Sequence, residues 1–190
     1  LNKFNTKNQQ IVQYQYSKYN PASIAHNHIN CLFIDEKNRF WIGTAGGGLD
    51  LFDKKNDAFI HYFADNGYPQ IKTVNDVIQD SNGTLWIATD RYGLLKLNAD
   101  SFQLTIMNEA PHKVEVLNIS TLLITGNNTL WCATKGFGLL KMSLENYRHQ
   151  YFSASMDNPE SISGNTLISL AVDGSKNLWI GTDGSGLSLL

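Results

Sequence analysis

One pentapeptide occurs four times in the chain: Phe40-Trp41-Ile42-Gly43-Thr44, Leu85-Trp86-Ile87-Ala88-Thr89, Leu130-Trp131-Cys132-Ala133-Thr134 and Leu178-Trp179-Ile180-Gly181-Thr182. The four Trp stand 45, 45 and 48 residues apart, and a period of that length marks blades or solenoid turns. No stretch holds a 3.6-residue apolar period, so helices are expected to be few or absent. Together these observations predict an all-β fold, a β-propeller of about four repeat units, each a four-stranded antiparallel blade.

Each strand of the unit follows from its position relative to Trp. Short apolar runs such as Cys31-Leu32-Phe33-Ile34, Val77-Ile78 and Leu122-Leu123-Ile124 form strand a and end at Asp35, Asp80, Thr125 or Asp173, six residues before Trp. The turn formers Glu36-Lys37-Asn38, Ser81-Asn82-Gly83, Gly126-Asn127-Asn128 and Gly174-Ser175-Lys176-Asn177 follow and suit a tight hairpin. The aspartates are expected to satisfy backbone N–H groups in these turns. Strand b is the Trp stretch, whose consecutive apolar residues predict burial on both faces. Small residues two after Trp (Gly43, Ala88, Ala133, Gly181) are expected to let a neighbouring sheet approach closely. Strand c opens at Leu49, Leu94, Leu139 and Leu187, each after a glycine. Strand d shows aromatic alternation: Phe59, His61, Phe63; Phe102, Leu104, Ile106; Tyr147, His149, Tyr151.

The expected divisions are a partial blade 1–17, blades 29–63, 73–107 and 117–152, and a partial blade 166–190, together forming a segment of a larger propeller. Leu1 to Phe4 reads as the tail of a strand c and Gln10 to Tyr16 as a strand d. A formal charge of −2 without Lys/Arg clusters argues against a nucleic-acid partner. No apolar run reaches the roughly 18 residues of a membrane helix, so this segment is not expected to enter a bilayer. Cys31 and Cys132 occupy apolar strand positions and are expected to be small core residues, with no metal and no cofactor implied.

The Asp-(turn)-Leu-Trp-Ile-Gly-Thr-(loop)-Gly-Leu unit, with connectors such as Asn66-Gly67-Tyr68-Pro69 and Asp157-Asn158-Pro159-Glu160-Ser161-Ile162-Ser163-Gly164-Asn165, resembles the two-component regulator propeller repeat. Departures are Thr125 for Asp, Cys132 for Ile, and Ala88 and Ala133 for Gly. The resemblance implies the periplasmic sensor region of a bacterial membrane receptor, responding to an oligosaccharide or similar solute. Its partners would be the remaining blades, the signalling domains of the same receptor and a second copy in a homodimer. The implied role is non-enzymatic sensing. The alternatives are a propeller-type lyase or hydrolase acting on a glycan or lactone, and a protein-interaction scaffold.

Function on a repeat scaffold is expected where the copies differ, in the loops between strands b and c. These loops supply Asp90, Arg91, Tyr92, Lys135, Phe137 and Asp183 as candidate ligand contacts, since aromatic planes stack on sugar rings while charged groups pair with hydroxyls or carboxylates. His26 and His28, in a connector, join them. Trp41, Trp86, Trp131 and Trp179 are assigned to the framework. Asp80, Gly83 and Trp86 do not match the spacing of a sialidase Asp box, and no pair of carboxylates marks a glycosidase centre.

Overall fold

The computed structural model describes residues 1–108, 112–126 and 128–190, so Asn127 of the third predicted turn lies outside the described residues. The chain divides into two compact units, Leu1–Val74 and Asn75–Leu190. Both are built from antiparallel sheets with the strand order of propeller blades, and the fold class is all-β.

In the first unit, β1 (Asn2–Phe4) pairs with β2 (Ile11–Gln13). A four-stranded meander follows: β3 (Ile29–Ile34), β4 (Phe40–Thr44), β5 (Leu49–Asp53) and β6 (Ala58–His61). Strand β4 lies in the middle and is buried on both faces from Trp41 to Thr44, as its consecutive apolar residues require. Ile24, Ile42 and Phe59 form a core against which Leu1, Tyr14, Phe40 and Phe52 pack, and Tyr14 meets the Phe52 and Phe59 rings edge-on. The predicted fourth strand ends early. Phe63 sits in a short helix, α1 (Tyr62–Asp65), because Tyr62 and Phe63 are both buried and an edge strand would turn one of two consecutive residues outward.

Among the described residues, the second unit holds three sheets. The first is β7 (Val74–Gln79), β8 (Leu85–Thr89), β9 (Leu94–Asn98) and β10 (Gln103–Ile106), β7 straddling the boundary by one residue. The next is β11 (Ile119–Thr125), β12 (Thr129–Thr134), β13 (Leu139–Ser143) and β14 (His149–Phe152). The last is three-stranded: β15 (Leu167–Val172), β16 (Leu178–Thr182) and β17 (Leu187–Leu189). One core cluster joins Trp86, Leu94 and Met107 to Ile119, Leu130, Cys132 and Leu140, sheet against sheet. Burial pushes the Cys132 thiol pKa up, as for an inert core residue. Phe102 and Tyr147, expected within strands, stand in the turns before β10 and β14 with φ of 57° and 59°.

The repeat aspartate does more than close a turn. Asp80 Oδ1 accepts the N–H groups of Asn82 and Thr84, while Oδ2 accepts the indole N–H of Trp86 at 2.9 Å. Asp35 does the same with Lys37, Arg39 and Trp41, and Asp173 with Ser175, Asn177 and Trp179. In the third repeat the Thr125 hydroxyl lies 2.8 Å from the Trp131 indole nitrogen and accepts its N–H, so the substitution keeps the tie. Burial raises the Asp35 pKa, but the Trp41 indole and Arg39 override it and hold the carboxylate below its usual range.

The small residue two after Trp also has a local cause. Gly43 pairs with Cys31 and Gly181 with Ser169, each just beyond a bulge in strand a, and a Cβ on either glycine would collide with that partner's side chain. At Gly43 the Val74 side chain closes in as well. The crowding therefore arises largely within the sheet, rather than only from a neighbouring one.

Trp86 is 1% exposed and Trp179 is 36% exposed. Trp86→Ala is expected to cost about 3–5 kcal/mol and Trp179→Ala about 1–2 kcal/mol in urea unfolding; equal costs would show that burial does not set the contribution of this residue. The Asp173 pKa is held down to about 2, from 3.8, by the Trp179 indole and then by the Asn177 side-chain and backbone N–H groups. A depressed folded-state pKa stabilises the charged form, so the tie is fully present above 3.8 and is lost as pH falls through about 2. The Asp173 carboxyl and the Trp179 indole N–H, followed by NMR, should titrate together near pH 2, and a midpoint near 4 would mean that the tie is not formed.

Candidate functional site

The loops between strands b and c share one construction. In each pentapeptide the final Thr turns its hydroxyl into the loop: Thr44 Oγ1 donates to Gly48 O, Thr89 to Gly93 O, Thr134 to Gly138 O and Thr182 to Gly186 O. The same oxygen accepts an N–H from Gly47, Phe137 and Ser185 in three of the four loops. Thr44, Thr89 and Thr134 are fully buried, so these bonds form away from competing water. The closing glycine takes φ between 64° and 81° in all four loops, and a Cβ at Gly48 would stand 2.6 Å from Ile71 O.

Connectors lock onto these loops. Gly46 N and Gly48 N donate to Lys72 O, Gly93 N to Leu117 O, Gly136 N and Gly138 N to Asn165 O, and Asp183 N to Thr166 O. Two connectors are near copies. Ser23 Oγ accepts from Ser17 N and Ser161 Oγ from Ser155 N, while Asn27 Oδ1 caps Tyr16 N and Asn165 Oδ1 caps Ala154 N. The loop backbones are therefore fixed, and their side chains are left to vary.

In the first unit, the His26 ring lies half-buried over Gly46, where a Cβ would strike it, and its Nδ1 accepts the His28 N–H. His28 is exposed. Nearby, the buried Asp50 accepts the Ala25 N–H and pairs with His61 Nδ1 at 2.9 Å; burial raises its pKa against the opposing pull of these bonds. Among the described residues no group of three or more His, Cys, Asp or Glu is placed to hold a metal ion.

In the second unit, two candidate residues spend their charge on each other. Asp90 Oδ1 lies 3.0 Å from Lys135 Nζ and also accepts from Asn75 Nδ2, which reaches Ile119 O. The pair clasps one sheet to the next. Arg91 is exposed, with φ 75° and its backbone N–H bound to Asn118 Oδ1. Tyr92 is half-buried and Asp183 exposed. Phe137 presents a ring that is 53% exposed to a cleft of about 380 Å³, lined also by Glu115, Val116, Gly136, Tyr151, Ser153 and Asn165. Burial raises the Tyr151 pKa; the Glu115 backbone N–H faces its hydroxyl and lowers it, and the Glu115 carboxylate raises it again. Sequence reasoning placed Tyr151 only as a strand residue and passed over Glu115, which no motif marks. The identical Thr in every pentapeptide was the available signal for the shared loop geometry.

The comparisons agree with a propeller-blade fold. Residues 23–46 and 68–91 match the family model described as two component regulator propeller. Two crystal structures of the extracellular domain of BT4673 from B. thetaiotaomicron, described as a hybrid two component system in one and a one component system in the other, superpose with TM-scores of 0.80 and 0.78. They are 23% and 22% identical over 99% of this chain, which spans 24% of theirs. A virginiamycin B lyase from Staphylococcus aureus shares the fold more distantly, with TM-score 0.63 and 16% identity over 97% of this chain and 60% of that one. No curated protein matches the chain. No helix among the described residues is long and apolar enough to cross a membrane.

Proposed function

We propose that this chain is part of a non-enzymatic, periplasmic ligand-sensing propeller of a bacterial signal-transduction receptor, and that it recognises an oligosaccharide or similar solute through its b–c loops. The observation that carries the reading is the contrast within each loop. Thr and Gly hold the backbone in the same way four times, while the tips change from Gly46-Gly47 to Arg91-Tyr92, Gly136-Phe137 and Gly184-Ser185. A rigid scaffold presenting different side chains is suited to selecting a ligand.

Phe137 and Tyr151 give one loop an aromatic wall, and a cleft of about 380 Å³ falls within the range of small-ligand sites. Glycoside hydrolysis takes two carboxylates converging on one bond, and among the described lining residues the cleft presents one, Glu115. The remaining blades and output domains of the receptor would carry the bound state onward.

Calorimetry of the protein against a panel of neutral, amine-bearing and acidic polysaccharide fragments tests this reading. At least one should bind, and Phe137→Ala should weaken it about tenfold, as expected for loss of an aromatic stacking partner. A panel with no binder, or binding untouched by Phe137→Ala, Arg91→Ala and Tyr92→Ala alike, would overturn it.

A further inference from the structure

We infer that the Phe137–Tyr151 cleft selects an amine-bearing sugar, a hexosamine with a free protonated amino group, over neutral and acidic sugars; this rests on the carbohydrate reading above. The argument is one of charge and of spent hydrogen bonds. Among the described lining residues Glu115 is the one carboxylate, and none is Lys or Arg. The cation closest in sequence to the aromatic wall, Lys135, is bound to Asp90. Asn165 lines the cleft with both acceptors engaged, its side-chain oxygen capping Ala154 N and its backbone oxygen holding Gly136 and Gly138, so only its amide N–H groups face a ligand.

What remains toward a ligand is a carboxylate, which only accepts, together with the neutral Asn165 amide N–H groups, the hydroxyls of Ser153 and Tyr151 and two aromatic rings. Such a wall attracts a cation twice, through the carboxylate and through the negative faces of the rings. The exposed Phe137 ring offers an apolar plane to the ring of a sugar. A ring that carries an ammonium group meets both demands. An acidic or sulfated sugar would bring its charge against Glu115 with no cation among the described lining residues to balance it.

The test is titration of the protein with a glucosamine trisaccharide, its fully N-acetylated counterpart, a glucose trisaccharide and a uronic-acid trisaccharide, at a pH that keeps the amine protonated. The glucosamine oligomer should bind about tenfold more tightly than the glucose oligomer. Glu115→Gln should reduce that preference to about twofold or less, and Phe137→Ala should weaken both. Circular dichroism melts of both variants, whose side chains are exposed, should overlay the parent. Equal affinity for all four sugars, or a preference that survives Glu115→Gln, would overturn this inference and leave the carbohydrate reading standing. Absence of binding by any sugar would overturn both.

Discussion

Each repeat is tied at one point, where the indole N–H of its Trp reaches an oxygen acceptor six residues earlier across the a–b hairpin. The bond solves two problems at once. A buried indole needs a partner for its N–H, and a hairpin turn leaves N–H groups for a side chain to satisfy. One carboxylate does both in three repeats: Asp35, Asp80 and Asp173 each give one oxygen to the turn and the other to the indole. The Trp is thereby fixed in the middle strand, and the residues after it, ending in the buried Thr, enter the loop in the same register each time.

This arrangement separates what must stay constant from what is free to vary. Thr, the closing Gly and the connector carbonyls hold the loop backbone, and most tip side chains vary; Gly46 and Gly47 are the exception, since a Cβ there would strike His26 and Ala25. Some were recruited structurally all the same. Asp90 and Lys135 form a solvent-exposed ion pair between sheets, while Arg91, Phe137 and Asp183 are exposed and Tyr92 is half-buried.

Much of the fold was legible because the repeat states it four times. The Trp period gave the sheets, and the Asp and Asn/Gly pattern gave the hairpins. The doubly buried middle strand followed from Leu-Trp-Ile. Strand d was harder to read: Phe63, Phe102 and Tyr147 fit an alternating pattern but lie in a helix or in turns, since a short edge strand is set by local turn geometry as much as by hydrophobicity. The site was less legible still. Glu115 lies in a connector without a motif, and the Asp90–Lys135 pair joins residues 45 apart that only packing brings together.

The Asp80–Trp86 tie is the point on which these relations turn, and a double-mutant cycle isolates it. Trp86→Phe removes the indole N–H while keeping much of the bulk, and Asp80→Ala removes the acceptor. If the tie organises the repeat, the two changes should couple by about 1–3 kcal/mol in chemical denaturation, with the double variant less destabilised than the sum of the singles. A coupling within about 0.3 kcal/mol of zero would mean that Trp86 is held by packing alone, and that Asp80 serves only its turn.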